Sequence, residues 1–183
     1  MQKILLVVGS PASGKSTISQ AIAARSAKGV HIPVDDLRTM VKGGVLHPGP
    51  NWTPELIHQL KLARQTATDM ALRYREADYL VAIDDFWDPF SQLQEYTALL
   101  NKPNIIPIIL KPDLSVVLAR NHARNQPSEF REQMDDGIRM IYADLDRQET
   151  VLKAQGWLIF DTSNDTIELS VTRILTLLET SDS

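Results

Sequence analysis

The segment Gly9-Ser10-Pro11-Ala12-Ser13-Gly14-Lys15-Ser16, followed by Thr17, decides how the rest of the chain is read. Just before it, residues 4–8 form an unbroken run of leucine and β-branched residues, as expected of a parallel strand buried on both faces. Just after it, Ile18, Ala21, Ile22 and Ala24 recur at helical spacing as far as Arg25. The turn between them fits G-x-x-x-x-G-K-[ST] in full, a pattern whose curled backbone and helix N-terminus aim N–H groups at phosphate oxygens. Residues Gly9, Ser10, Pro11, Ala12, Ser13, Gly14, Lys15, Ser16 and Thr17 are therefore the expected phosphate cradle. Lys15 can reach β- and γ-phosphates as a point charge, and Ser16 can offer its hydroxyl to Mg²⁺. A bare strand-to-helix turn would also use glycine and serine, but pattern and flanking segments agree on the cradle.

Outward from the cradle, strand and helix signals alternate. Residues 30–34 read as a second strand, 79–83 as a third that ends at Asp84-Asp85, 104–110 as a fourth and 157–160 as a fifth. Pro107 inside the fourth suits an edge or a bulge. Thr53-Pro54-Glu55 opens a long helix with an N-cap, a proline in the first turn and an acid at the positive dipole end. Leu56, Leu60, Ala63, Ala67, Met70 and Tyr74 fall on one of its faces. Residues 112–124 predict a helix with Leu114, Val117, Leu118 and Asn121 along one side, broken at Gln126-Pro127-Ser128. A helix over 128–154 then carries Phe130, Met134, Ile138, Ile141, Leu145 and Leu152 in period, and residues 167–178 close the chain as a helix. Strands alternating with helices specify an α/β fold, a parallel sheet covered on both faces, with ligands beyond the carboxyl ends of the strands.

The 183 residues fit one domain over 1–183, and 43% hydrophobic with 23% charged residues is an ordinary soluble composition. A net charge of −4 gives no broad basic field for a nucleic-acid backbone. With no cysteine, disulfides, thiolate metal sites and cysteine nucleophiles are excluded, and the cytoplasm is the expected compartment. The first apolar run is too short to span a membrane, so none is expected as a partner.

Two acidic pairs at strand ends, Asp35-Asp36 and Asp84-Asp85, should converge beside the cradle. Transfer of a phosphoryl group to an alcohol needs one group to orient or deprotonate the hydroxyl and another to hold Mg²⁺. Asp35 is the candidate base, and either Asp84 or Asp85 the candidate for the second role. Helix N-capping accounts for Asp35 or Asp36 equally well, and an exposed turn is the alternative for Asp84-Asp85. Arg38, one helical turn after Asp35, suits either an anion clamp or a surface salt bridge. Arg120 and Arg124 share a helix face next to a proline-containing break able to close as a lid around residues 124–131; ordinary solvated arginines are the alternative. Asp161-Thr162-Ser163 follows the fifth strand and can line an adenine pocket or cap the last helix. Trp52, in the loop with Gly43-Gly44, can stack on a ring or simply pack. His31, His47, His58 and His122 lack metal-ligand spacing and read as structural or solvent-facing.

This constellation resembles the P-loop kinases, and within them the polynucleotide kinase, chloramphenicol phosphotransferase-like and zeta-toxin/AAA_33-type ATP-binding proteins. Asp35-Asp36-Leu37-Arg38 matches the D-D-x-R segment of the 5′-hydroxyl polynucleotide kinases, Asp85 their carboxylate after the third strand, and Arg120 to Arg124 their R-x-x-x-R pair before the lid. The resemblance implies a three-layer P-loop NTPase fold with strand order 2-3-1-4-5, ATP and Mg²⁺ as cofactors, and Asp35 as base. It further implies Arg38 as a substrate-phosphate clamp, Arg120 against adenine and Arg124 against the transferring phosphate. Two features depart from that pattern: residues 42–53, including His47-Pro48-Gly49-Pro50, and the acidic overall charge. Both count against an oligonucleotide acceptor.

The expected activity is thus transfer of the γ-phosphoryl group of ATP to a hydroxyl of a small molecule. Catalysis would rest on Lys15, Asp35 and Arg124, substrate binding on Arg38 and Asp85, and the metal on Ser16 and Asp84. A nucleic-acid 5′-hydroxyl kinase and a non-catalytic ATP-binding regulatory module are the competing readings.

Overall fold

β1 (Ile4–Gly9) is buried at every position, because its uncharged residues have helices on both sides of the sheet to pack against. The computed structural model describes residues 2–49, 51–124 and 126–180, with residues 179 and 180 described without their side chains. Pro50, in the 47–50 stretch, and Asn125, in the expected lid, lie outside the described residues, as do Met1 and residues 181–183.

After β1 come α1 (Lys15–Arg25), β2 (Gly29–Pro33), α2 (Val34–Thr39), α3 (Pro54–Glu76) and β3 (Leu80–Phe86). A 3₁₀ turn at Gln94–Tyr96 leads into α4 (Thr97–Leu100), followed by β4 (Ile105–Leu110), α5 (Leu114–His122), α6 (Ser128–Ala154), β5 (Leu158–Phe160) and α7 (Ile167–Thr180). All strand pairs are parallel, in the expected order β2-β3-β1-β4-β5. The period of two sorts the side chains into two cores. Ile4, Leu6 and Val8 meet Ala63 and Ala67 of α3 and Ile141 and Leu145 of α6, whereas Leu5 and Val7 meet Ile18 and Ile22 of α1 and Val171 and Ile174 of α7.

Several boundaries depart from the sequence reading. β2 stops at Pro33, and Val34 already begins α2. β3 runs on to Phe86, so Asp84 and Asp85 lie inside the strand and both are buried. Burial beyond Ile83 is possible because those carboxylates find polar partners, which an apolar count does not register. β4 lies between β1 and β5, yet β5 pairs only with residues 108–110; at the level of Pro107 the described residues put no strand on that flank, the edge-like setting a proline requires.

The long α3 begins as expected, with Thr53 Oγ1 accepting the Leu56 amide at 3.2 Å. Its buried face holds Leu56, Leu60, Ala63, Ala67 and Ala71, together with one charged residue, Arg64, while Tyr74 is exposed. In α6, Phe130 is exposed and Asp144 is buried, where it accepts the Trp87 indole N–H at 2.9 Å.

Candidate active site

The cradle runs from the end of β1 into α1. Gly9 is required by space: a Cβ there would lie 2.6 Å from the Leu110 carbonyl oxygen and 2.7 Å from Ser13 Oγ, and the strand backbone cannot retreat. Gly14 is required by conformation instead, with φ of 94° as the N-cap of α1. Ala12 also takes a positive φ, 63°, a left-handed conformation that costs a residue with a Cβ about 1–2 kcal/mol. It is held there by packing on Val117, Ile138 and Tyr142.

The loop holds polar groups ready for a ligand. Ser13 Oγ is buried with no hydrogen-bond partner, and Lys15 Nζ makes a long 3.4 Å bond to the Ser10 carbonyl across the turn. Such groups fit the oxygens of a phosphate chain. Beside them opens a cleft of about 380 Å³, with Ser13, Gly14 and Thr17 on one wall and Arg120 and Arg124 on another. Thr162 and Asp165 close it from the loop after β5, and Thr162 Oγ1 is a further buried atom without a partner. α5 ends at His122, so Arg124 projects from the connection to α6 rather than from the helix, yet both arginines face the cleft. Of Asp161-Thr162-Ser163 only Thr162 lines it. Asp161 accepts the Ser163 amide at 2.8 Å, and the Ser163 hydroxyl and amide hold its carboxyl below the usual range. The last helix is capped by Thr166, which accepts from the Leu169 amide at 3.2 Å.

Asp84 and Asp85, adjacent in β3, have separate surroundings. Asp84 points to the α1 side, where Ser16 Oγ donates to its Oδ1 at 2.9 Å, and its Oδ2 contacts His31 Nε2. A hydroxyl and a carboxylate oxygen side by side are hard donors suited to Mg²⁺, which characteristically takes one or two carboxylates and completes its shell with phosphates and water. No group of three or more metal-ligating side chains occurs among the described residues.

Asp85 points the other way and departs from its expected place at the substrate. It is 1% exposed, and its oxygens are taken by Arg64 Nε at 2.8 Å, the Tyr96 hydroxyl at 3.1 Å and the Phe86 amide at 2.8 Å. Arg64 also meets Asp88 at 3.0 Å and Glu95 at 3.2 Å. Burial works against the Arg64 charge, but the surrounding carboxylates, led by Asp85, hold it firmly protonated. Burial likewise pushes the Asp85 carboxyl up against the pull of Arg64, and pushes the Tyr96 phenol well above its ordinary value. Asp85 is therefore bound up in the protein's interior.

Asp35 stands on the first turn of α2, with its side chain 62% exposed. Capping does not explain it: the N-cap is Pro33, and the Asp35 carboxylate is engaged by Arg38 Nη1 at 2.7 Å. Arg38 is no surface arginine. It is 7% exposed, donates to the Leu46 carbonyl at 3.3 Å, and keeps a buried Nε without a partner. Gln59 of α3 braces the same loop through the Gly44 carbonyl at 2.9 Å and the Leu46 amide at 3.0 Å. Trp52 packs on Phe90, with ring centroids 4.5 Å apart. His31, Arg64 and Tyr96 are site-region residues that motif reading missed.

Fold and cradle together define a P-loop protein with the three-layer architecture of the P-loop kinases. A family profile described as AAA domain (AAA_33) matches residues 4–148, and the chain belongs to that family. No curated protein matches it in sequence. A shikimate kinase from Bacteroides thetaiotaomicron superposes with a TM-score of 0.64 at 18% identity, covering 97% of this chain and 98% of that one. An unliganded sugar kinase from Janibacter sp. HTCC2649 gives 0.66 at 15% identity, over 98% and 95% of the two chains. A shikimate kinase from Acinetobacter baumannii in complex with shikimate gives 0.67 at 14% identity, over 99% and 95%. At these identities the likeness establishes the fold. No helix among the described residues is long and apolar enough to cross a membrane.

Proposed function

We propose that the chain is an ATP-dependent phosphotransferase that moves the γ-phosphoryl group to a hydroxyl of a small molecule. The observation that carries this reading is the Ser16–Asp84 oxygen pair, 2.9 Å apart, next to a cradle whose cleft is walled by two arginines. The amides of residues 9–17 and Lys15 bind the phosphate chain, and Arg120 lies against the base. Ser16 and Asp84 are the residues to hold Mg²⁺, whose contribution when bound is to neutralise phosphate charge. Asp35, exposed and oriented by Arg38, accepts the proton of the acceptor hydroxyl. The acceptor oxygen bonds to the γ-phosphorus, the bond to the β–γ bridging oxygen breaks, and ADP departs. Lys15 and Arg124 face the charge that develops on the transferring group. Arg38 clamps the acceptor, and residues 124–131 act as the lid. The acidic balance of −4 favours a small molecule over a nucleic-acid end.

The test is ADP release with Mg²⁺-ATP and a panel of metabolite alcohols, alongside a 5′-hydroxyl oligonucleotide. Asp35→Asn should lower the rate about 10²–10⁴-fold with ATP affinity unchanged. Full turnover in that variant overturns the assignment of the base. Transfer to the oligonucleotide alone overturns the small-molecule acceptor.

A further inference from the structure

His31 occupies a place that the phosphate motif does not account for. On β2 it pairs in register with Ala82, and Asp84 stands two residues further along β3 on the same face of the sheet. The imidazole thus reaches diagonally across the strands, and its Nε2 meets Asp84 Oδ2. An ionised carboxylate only accepts, so the ring nitrogen in this contact carries the proton and donates. Asp84 is 3% exposed and each of its oxygens has a protein partner: Ser16 Oγ at 2.9 Å on Oδ1, and His31 on Oδ2.

We propose that His31 is a positioning residue for the cation site: by holding Oδ2 it fixes the Asp84 carboxylate with Oδ1 towards Ser16. This rests on the reading of Ser16 and Asp84 as the Mg²⁺-holding pair. A carboxylate gripped at one end presents a single oxygen to a metal, which suits an ion that tolerates little departure from octahedral geometry and keeps much of its water. Released from that grip, Asp84 rotates about its terminal torsion, whose preference is broad, and the oxygen pair loses its alignment. A donor that fixes the carboxylate without adding negative charge is what such a site needs from its outer partner.

The experiment is calorimetric titration of the full-length protein with ATP, once with Mg²⁺ and once with EDTA. The ratio of the two affinities is the gain due to the metal. His31→Leu should reduce that gain about 10-fold or more, the usual effect of removing an outer partner of a ligand, while affinity in EDTA stays at the parent value. His31→Gln, whose amide nitrogen falls near the place of Nε2, should restore most of the gain; a role in packing alone predicts no such rescue. Should the leucine variant not fold, His31→Asn, polar but too short to reach Oδ2, is read in the same way. If the parent shows the gain and His31→Leu keeps it, or if His31→Gln is as poor as His31→Leu, the positioning role is overturned and the metal pair stands. A parent that binds ATP equally well with and without Mg²⁺ overturns both, and a parent that ignores ATP removes the nucleotide reading itself.

Discussion

Asp84 and Asp85 are neighbours in one strand, and they illustrate how completely the pleat of a sheet separates two identical side chains. Asp84 turns towards α1 and the loop after β1, with a hydroxyl on one oxygen and an imidazole on the other. Asp85 turns towards α3 and is closed in by Arg64, Tyr96 and a backbone amide. The first faces the loop after β1, and the second is locked into the interior. Charge at the end of a strand is thus not in itself a sign of chemistry; what separates these two carboxylates is their partners, a hydroxyl and an imidazole for one and a buried guanidinium for the other.

That contrast can be broken most forcefully at Arg64. Its removal leaves Asp85 and Asp88 buried without their cation, and breaking a buried pair from one side typically costs about 3–5 kcal/mol. Arg64→Leu should therefore lose much of a stability that lies at about 5–15 kcal/mol for most domains, visible in the urea midpoint. Near-parental stability would mean that the interior network contributes little. Asp84→Asn should do the reverse: a fall of about 10-fold or more in the Mg²⁺-dependent part of ATP affinity, with a stability change no larger than about 1.5 kcal/mol, one hydrogen bond's worth. If it instead destabilises as much as Arg64→Leu, the two aspartates share one role.

A surface carboxylate sets the lower end of the scale. Lys111 and then Lys153 hold the Glu149 carboxyl down at about 2, against an ordinary 4.5. A folded-state value below the unfolded one stabilises the protein above the ordinary value, and the benefit fades as pH falls towards the depressed one. The melting temperature of the parent should exceed that of Glu149→Gln by a small margin at pH 6, as exposed pairs do, and the margin should vanish between about pH 4.5 and pH 2. An unchanging margin across that range would mean that the ion pair is not its source.

The strand-turn-helix that carries the motif was legible because its backbone leaves little choice of residue: a side chain at Gly9 would strike the Leu110 carbonyl, and one at Gly14 would be strained by a positive φ. The sheet order and the start of α3 were legible too, the former through family resemblance and the latter through Thr53-Pro54-Glu55. The division of labour between Asp84 and Asp85 was not. A period of two says that adjacent residues face opposite ways, but which way depends on the placement of α1 and α3 around β3. Arg64 left a faint trace, a basic residue on the stripe formed by Leu60, Ala63 and Ala67. A lone charge on an apolar helix face is a reason to look for buried partners of opposite sign. His31 left none, since its meaning lies in a diagonal contact between strands whose register no local pattern records.

Pro107 gains a meaning from the shortness of β5. Residues 105 and 106 of β4 are isoleucines, half-buried and beyond the reach of the last strand. A β-branched edge with free amides invites another molecule's chain to add itself to the sheet. A ring that has no amide hydrogen and obstructs an incoming backbone makes that flank a poor template for strand addition, so the residue that looks like a blemish in the strand blunts its exposed edge.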